Sequence, residues 1–541
     1  MNREEKTYTI SDWVFKVLFF PWHILCGWWP VFCRRWLSVA GFAWIFLSSP
    51  LIQSNYAEWV KDRMAFVREA FLILWFVLSY ATNDGKNIRK IRWRWWILLP
   101  AVSFCAYLVL EEMRQPKDLE YVGLIYGGMV LCGIIGGAGL ASRKQLWNIF
   151  CSGVQWAFVI TAAFCFLYRP IYDEYRYLGM YTNPNYLGMF MILVLCVEIY
   201  RIDRLEKMWR RTQNVFTLCR LLGNGILLGI AGTFLYLSQA RTSLIAFFVM
   251  LVAWLFWSLC YASKIWKAIK SIFFVILLGV LTTGIVFPAT YWGLKTIPYK
   301  YGSPLILEDD MYKPPSTEGI SKWANQYLLS VSDRIIFSDL PIDSDENSTE
   351  AESSEEKKWW EDSFTLTRIF KDDWKTFGGR DIVWKGYLKE LSWEGHEHFN
   401  LVIEGRDFPS AHNNLLQYGY TYGLLSMILY GILFMVIIVG IFLYPHLNVR
   451  KSKEGLLFFV FQAGFMIIAL TEVQFIYIQN ILVLPFWLSV GTLSVAVRDK
   501  EILRKKKKTK KTRQRLHRIY GDAERIKESG VEGNIDKYER E

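Results

Sequence analysis

Paired cysteines are missing from this chain, and their absence excludes two classes of protein. All nine cysteines lie in or beside apolar segments, and no two are spaced as a C-x-x-C pair. Cysteines placed in apolar segments are unsuited to a disulfide scaffold, and without a C-x-x-C pair no cysteine-based metal or redox site is expected. The apolar stretch after Ile10 contains Asp12 and Lys16 and lacks a small-residue cleavage site, so we also expect no cleavable signal peptide.

Charge is sparse and unevenly placed. Charged residues make up 21% of the 541 residues against 53% hydrophobic ones, and the mean hydropathy is +0.19, which is typical of a membrane protein. The net charge of +12 is concentrated near the C-terminus. Between Arg498 and Arg515, 11 basic and 2 acidic residues give 11 − 2 = +9. Beside an apolar run, this excess predicts a cytoplasmic segment attracted to membrane lipid, with no nucleic-acid partner.

Long apolar runs predict an all-α, polytopic integral membrane protein. About twelve runs are long enough to cross roughly 30 Å of hydrocarbon. They lie near residues 36–54, 63–81, 94–110, 121–141, 146–168, 180–200, 218–238, 242–261, 271–291, 418–443, 456–472 and 475–497. Lys and Arg collect in every second connection, which places those connections in the cytoplasm and one large loop outside the cell.

This topology divides the chain into five parts. They are an N-terminal cytoplasmic or interfacial segment (1–35), a membrane domain of nine spans (36–291), an extracytoplasmic loop (292–412), a membrane domain of three spans (413–497) and a basic cytoplasmic tail (498–541). We expect residues 10–32 to form an interfacial or re-entrant segment rather than a span. The loop contains an acidic insertion at 339–362, and its last part, 364–399, is expected to be helical.

Three motifs fall on the predicted outer face. Arg241-Thr242 lies at the tip of a short hairpin between two spans, Arg380 and Trp384 share a helix face by their spacing of four, and His412-Asn413 precedes a span. Each motif also has a structural explanation: a snorkelling arginine, an interfacial amphipathic helix and an ordinary helix boundary. The outer-loop histidines, His396, His398 and His412, match no familiar zinc spacing, so no metal site is expected.

Together these motifs resemble those of the O-antigen ligase and O-antigen polymerase family of bacterial membrane glycosyltransferases. The resemblance covers the chain from about Tyr181 to Tyr430 and includes the Asn183-Pro184-Asn185 element at the outer end of a span. It implies transfer of a glycan from a polyprenyl diphosphate carrier to a glycan or lipid-linked acceptor at the outer face of the cell membrane. No signature specific to lipopolysaccharide is evident, which favours a polymerase over a ligase.

The resemblance also implies roles for particular residues. Arg241 and Arg380 would bind the diphosphate, and His412 would act as a general base, because histidine titrates closest to neutral pH. Asn413, Trp384, Thr242, Asn183 and Asn185 would contact substrate. Two guanidinium groups on the diphosphate make a metal unnecessary, so a metal-independent enzyme without cofactor is expected. Other proteins of envelope polysaccharide assembly are possible partners.

Three alternatives stay open. A metal-dependent enzyme would use outer acids as ligands, with Glu58, Asp62, Glu111 and Glu112 as candidates. A transporter or flippase of a lipid-linked glycan would suit the many spans and the basic tail equally well, and intramembrane polar groups such as Glu198 and Gln462 would then matter. A structural scaffold is the third alternative, but it assigns no function to His412, Arg241 or Arg380.

Overall fold

The computed structural model describes fifteen stretches of the chain: 31–52, 90–115, 133–134, 136–138, 144–167, 171–173, 176–181, 183–238, 240–260, 265–296, 380–403, 406–408, 410–447, 454–473 and 481–498. The predicted segments at 10–30 and 63–81, the acidic insertion, residues 364–379 and the tail after Arg498 lie outside the described residues. Most of the predicted span at 121–141 does too.

Helices dominate the described residues, as the apolar runs predicted. Before the large loop they are α1 (Val31–Ile52), α2 (Trp95–Arg114), α3 (Lys144–Leu167), α4 (Pro184–Thr212), α5 (Val215–Ser238), α6 (Arg241–Cys260) and α7 (Ile265–Thr296). After it come α8 (Arg380–Lys389), α9 (Asn414–Tyr422), α10 (Leu424–Leu447), α11 (Glu454–Thr471) and α12 (Val483–Leu493).

Seven of the described helices are long and apolar enough to cross a membrane, against the twelve spans predicted. The qualifying segments are Trp95–Arg114, Trp147–Phe166, Pro184–Thr212, Val215–Ser238, Arg241–Cys260, Ile269–Thr290 and Leu424–Leu443. Three further apolar segments in the described part are shorter: Arg35–Ser48, Gly455–Thr471 and Val483–Leu493. Helix α12 lies within the span predicted at 475–497: it begins at Val483 and ends at Leu493, a strand follows Ser494, and residues 474–480 lie outside the described residues.

Three small antiparallel sheets qualify the all-α prediction. Strand β1 (Lys90–Trp93) pairs with β6 (Val495–Arg498), and the other two sheets are hairpins. They are β2 (Ile171–Asp173) with β3 (Arg176–Gly179), and β4 (Leu401–Ile403) with β5 (Arg406–Phe408). The β1–β6 pair joins segments about four hundred residues apart, and the Arg94 guanidinium strengthens the join by donating to the Leu493 carbonyl at 2.8 Å. The apolar pattern of the sequence does not predict these strands.

Close helix contacts establish which helix ends lie together. A Cβ on Gly464 of α11 would lie 2.6 Å from Met250 of α6 and 3.6 Å from Ile192 of α4. Ile192 is eight residues from the start of α4, Met250 is nine residues from the start of α6, and Gly464 is seven residues from the end of α11. At 1.5 Å per residue these three ends lie at roughly the same level, about 10–14 Å away. We call this end of the bundle the site end.

Contacts of α2 and α10 show which of their ends belong to the site end. Helix α10 runs antiparallel to α2, since a Cβ on Gly440 would lie 3.3 Å from Ile97, while the rings of Tyr430 and Phe104 are 5.5 Å apart. Phe442 of α10 contacts Phe459 of α11 near the other end of both helices. The C-terminus of α2 and the N-terminus of α10 therefore belong to the site end, and the β1–β6 sheet belongs to the opposite end.

Two predicted connections are helical instead. The basic segment 201–211, predicted as a cytoplasmic loop, continues α4 for a further three turns, and ion pairs from Lys207 to Asp203 and from Arg210 to Glu206 stabilise it. Glu111 and Glu112, predicted in an outer loop, belong to the last turn of α2 and are buried. In both places the charged residues pair locally, so the chain keeps its helical hydrogen bonds.

The predicted span at 418–443 is two helices rather than one. The short helix α9 packs antiparallel on α10, and the chain reverses between them at Gly423, where φ is +86°. Apolar residues continue on both sides of this glycine, so hydropathy alone could not reveal the break. As a result α9 runs beside the first two turns of α10, with Leu415 next to Gly431.

Candidate active site

One carboxylate, Glu472, joins three residues that are far apart along the chain. Its Oε1 accepts a hydrogen bond from Arg380 Nη2 at 2.6 Å and another from Asn185 Nδ2 at 3.2 Å. Its Oε2 lies 3.3 Å from His412 Nδ1. The Glu472 side chain is 10% exposed, whereas those of Arg380 and His412 are 22% and 37% exposed. The carboxylate is therefore the buried floor of an open cluster, which we call the Glu472 cluster.

Helix α4 begins at this cluster because of its Asn-Pro-Asn element. The Asn183 side chain caps the helix by accepting from the Asn185 backbone N–H at 2.8 Å, and Pro184 occupies the first helical position, which lacks a hydrogen-bond partner in any case. The Asn185 side chain is thereby directed to Glu472. The structure gives Asn183 a capping role, and its predicted contact with substrate stays a prediction.

His412 has a strained backbone. Its φ is +47°, in the left-handed region that residues other than glycine rarely adopt and that costs about 1 kcal/mol or more. The residues on either side hold it there: Ala411 N–H donates to Gln417 Oε1 at 2.7 Å, and Asn413 caps α9 by accepting from the backbone N–H of Leu415 and Leu416. Strain maintained by its neighbours is a feature of functional positions.

Asn413 also ties the site to α11. Its Nδ2 donates to the Leu470 carbonyl at 3.1 Å, two residues before Glu472. One side chain thus fixes the start of α9 and its distance from the carboxylate. Asn413 therefore helps to hold the neighbouring His412 in place, while its contact with substrate stays a prediction.

A buried polar hub holds α8 and α9 together. Gln417, which is fully buried, donates to the Phe399 carbonyl at 3.0 Å, and Tyr387 Oη donates to the carbonyls of Phe399 and Phe408 at 3.2 and 3.1 Å. Tyr420 Oη donates to the Asn400 carbonyl at 3.0 Å. Burial raises the pKa of the Tyr420 phenol, with a further contribution from the charge of Glu390, so it remains a donor at neutral pH.

Trp384 contributes to packing rather than to the open face of the cluster. Helix α8 forms as the four-residue spacing predicted, but its Trp384 side packs against a small core of Val383, Tyr387, Ala411, Leu416 and Tyr420. This packing positions Arg380, which is one turn earlier on the same helix. The predicted contact of Trp384 with substrate stays a prediction.

Arg241 and Thr242 lie at the site end, one helix away from the Glu472 cluster. Helix α6 begins at Arg241, and its first turn packs tightly on α4: a Cβ on Gly188 would lie 2.7 Å from Ala240 Cβ and from Ser243 Oγ. Gly188 is one turn from Asn185. Arg241 therefore starts its helix at the level of the cluster, and both it and Thr242 are partly exposed.

The cluster is recessed below the rim of the bundle. Leu415, three residues after His412, lies beside Gly431, which is seven residues into α10. At 1.5 Å per residue, the start of α9 is therefore roughly 10 Å below the α9–α10 turn, measured along α10. The end of α2, the start of α10 and the segment 390–396 lie around this turn.

The geometry defines what this cluster can do chemically. A carboxylate only accepts hydrogen bonds, so the His412 nitrogen that faces Glu472 carries the hydrogen, and Nε2 is left to take a proton from a substrate. Arg380 offers further guanidinium donors, beyond the one on Glu472, to an anionic group such as a phosphate. An oriented base beside a permanent cation suits transfer chemistry with an anionic leaving group.

Sequence reasoning missed Glu472. It was placed in a three-residue connection, 472–474, between two apolar runs, where an acid is expected to be solvated. One feature of the sequence could have indicated it: Glu472 is the only acidic residue between Glu454 and the end of α12. Within the described residues no group of three or more His, Cys, Asp or Glu side chains is arranged to hold a metal ion. Glu58 and Asp62 lie outside those residues.

A second polar cluster lies deeper in the bundle. Gln155 Nε2 of α3 donates to Glu198 Oε1 of α4 at 2.6 Å and to Asn224 Oδ1 of α5 at 2.7 Å. Arg201 donates to Gln155 Oε1 and to Ser152 Oγ, the latter at 2.8 Å. Glu198 is fully buried, and its Oε2 has no hydrogen-bond partner. We call this group the Gln155 cluster.

Comparison with known proteins adds no relative: no family model, no curated protein and no solved structure matches this chain. What can be stated from the fold and the site is therefore a class. The chain is a mostly helical protein with several helices suited to a membrane and one open, charged cluster at the end of its bundle.

Proposed function

We propose that this chain is a membrane glycosyltransferase that transfers or polymerises glycan units from a polyprenyl diphosphate carrier at the outer face of the cell membrane. One observation carries the proposal: Arg380, His412 and Asn185, selected from sequence motifs that together span more than two hundred residues of the chain, meet on the single carboxylate of Glu472.

The proposed reaction uses His412 and both arginines. His412 Nε2 takes the proton of an acceptor hydroxyl as that oxygen attacks the anomeric carbon, and the bond from this carbon to the diphosphate oxygen breaks. Arg380 and Arg241 stabilise the charge that develops on the departing diphosphate. Glu472 holds the imidazole by Nδ1 and is a positioning residue. No metal is required to balance the step, because a proton and a diphosphate are its only other products.

The distribution of charge supports an outer location for the site end. Helix α4 carries Arg201, Arg204, Lys207, Arg210 and Arg211 at the opposite end of the bundle, near the β1–β6 sheet. Cytoplasmic flanks of membrane helices are rich in such residues. Lipid-linked glycans outside the cytoplasm then meet the recessed cluster from the membrane boundary, with the diphosphate at the level of Arg380 and Arg241.

The test is elongation of a lipid-linked oligosaccharide by the purified full-length chain in nanodiscs, with products separated on a gel. His412→Ala, Arg380→Ala and Arg241→Ala should each lower the rate by roughly 10²-fold or more while the protein remains folded. Arg204→Ala, an exposed arginine on the opposite end of α4, is the matched control and should retain activity. Ladders of wild-type length from all three site variants would contradict the proposal.

A chelator separates this mechanism from a metal-dependent one. Elongation should continue in its presence if the two guanidinium groups neutralise the diphosphate. Activity that disappears with chelator and returns with a divalent ion would transfer the catalytic role to acidic groups.

Transport of a lipid-linked glycan is the second candidate, and the Gln155 cluster favours it. Polar groups buried midway along α3, α4 and α5 are a feature of transporters, in which such groups mark a pathway. Loss of glycan flipping in vesicles by Gln155→Leu, with elongation intact in nanodiscs, would favour this alternative.

A further inference from the structure

Trp393 is held outward by a rigid turn above the Glu472 cluster. Its side chain is 68% exposed, yet the backbone around it is fixed. Leu424 N–H donates to the Ser392 carbonyl at 2.9 Å, and a Cβ on Gly423 would lie 2.2 Å from the Trp393 carbonyl oxygen. Gly395, two residues after Trp393, has a φ of +75°. A large aromatic ring displayed on a fixed backbone is suited to binding, because little conformational entropy is lost when a ligand stacks on it.

Charged groups flank this tryptophan. Arg114, at the end of α2, lies 3.8 Å from the carboxylate of Glu394, the residue that follows Trp393. It also lies 3.5 Å from the carboxylate of Glu111. Glu394 is 80% exposed, whereas Glu111 is 9% exposed and its Oε2 is buried without a hydrogen-bond partner. The buried Glu111 carboxylate therefore holds the Arg114 guanidinium beside Glu394.

These residues lie at the rim of the bundle. Tyr107 Oη donates to the Tyr422 carbonyl at 3.2 Å, which places the end of α2 beside the turn after α9. Since α9 rises from the cluster to this turn, the rim is roughly 10 Å above the level of His412. That height is comparable with two linked sugar rings.

We propose that Trp393, Arg114, Glu394 and Glu111 form a carbohydrate-binding subsite for the glycan beyond its reacting sugar, a role that rests on the proposed function. A pyranose ring has one face lined by C–H groups, which stacks on an indole, and a rim of hydroxyls that both donate and accept. The exposed Glu394 accepts from such hydroxyls and Arg114 donates to them, while the buried Glu111 positions Arg114. The set matches a neutral or weakly charged sugar.

Membrane anchoring is the competing explanation for an exposed tryptophan, since indoles are common at the lipid boundary. The neighbouring charges argue against it here. Arg114 is 58% exposed and Glu394 is 80% exposed on the same patch, so the surface around the indole is strongly polar. A ligand with both an apolar face and many hydroxyls fits this mixture better than an acyl chain does.

The experiment has two readouts. In the elongation assay, Trp393→Ala should raise the KM for the lipid-linked glycan about tenfold and change kcat less than twofold, with Trp393→Phe in between. Trp95→Ala removes a tryptophan of similar exposure, 66%, at the opposite end of α2, and it should leave both constants unchanged. An unchanged KM in Trp393→Ala would overturn the subsite.

Binding without chemistry separates this proposal from the proposed function. The probe is the water-soluble glycan released from the same lipid carrier by mild acid, and its contact with the protein is measured by saturation-transfer NMR. Wild type and His412→Ala should bind it equally, and Trp393→Ala and Glu111→Gln should bind it at least fivefold more weakly. Equal binding by all four proteins would overturn the subsite whatever the elongation assay shows, while loss of elongation alone in His412→Ala leaves the subsite supported.

Discussion

Helix α4 carries a member of each polar cluster, and the two clusters differ in their access to solvent. Asn185, in its first turn, belongs to the open Glu472 cluster, and Glu198, thirteen residues later, belongs to the enclosed Gln155 cluster. The Glu472 cluster gathers long-range partners around a strained histidine. The Gln155 cluster joins three adjacent helices. Openness together with strain indicates a place where ligands exchange, whereas enclosure indicates a place where helices are held together.

The largest expected effect tests the open cluster. Glu472→Ala removes the acceptor for His412 Nδ1 and the partner of Arg380, so we expect the elongation rate to fall by about 10²–10³-fold, as for other groups that orient a catalytic histidine. Glu198→Gln, which replaces the acid of the enclosed cluster by an isostere, should keep nearly full activity. Equal losses in the two variants would abolish the distinction between the clusters.

The enclosed cluster should respond in stability instead. Gln155→Leu leaves Glu198 and Asn224 without their shared donor and Arg201 without one acceptor, so we expect a loss of about 3 kcal/mol in the free energy of unfolding. Chemical unfolding in detergent, followed by tryptophan fluorescence, measures it. Activity per folded molecule should be unchanged in nanodiscs. A stable variant that is inactive would instead assign the Gln155 cluster a functional role.

The rim above the Glu472 cluster depends on one glycine. Gly423→Ala introduces a Cβ that meets the Trp393 carbonyl carbon and oxygen, at a φ of +86° that alanine rarely adopts. We expect a loss of about 2 kcal/mol in stability. Gly431→Ala is the control, since its Cβ would meet only Leu415 at 3.8 Å. A neutral Gly423→Ala would show that the turn yields easily and that Trp393 is not fixed.

Much of the fold was predictable because apolar length is a strong signal, and its failures have local causes. Helices α3, α5, α6 and α7 fall where the hydropathy placed spans, within several residues at each end. The break at Gly423 was missed because apolar residues flank it on both sides. The helical continuation through 201–211 was missed because its charges pair along the helix, which a composition average does not register.

The candidate site was predictable in part. Arg380, His412 and Asn185 were selected from sequence, and the structure brings them together. Arg241 is placed at the same end of the bundle. Glu472 was missed because an acid in a short connection gives the same signal whether it is solvated or buried. Only tertiary contacts distinguish the two, and they join Glu472 to residues 60 to 287 positions away.

The smallest expected effect comes from two asparagines that make the same local contact. Asn413→Ala and Asn214→Ala each remove an asparagine that accepts from a backbone N–H two residues later at the start of a helix, α9 and α5 respectively, and each should cost about 1 kcal/mol in stability. Only Asn413 also bonds to the Leu470 carbonyl and adjoins the strained His412, so only its loss should lower kcat, by roughly tenfold. Thermal unfolding checks the first expectation and elongation rates check the second. If both variants slow the reaction equally, the loss of rate would come from the missing helix caps and not from a displaced His412. The strained backbone of His412 would then make no contribution to the rate.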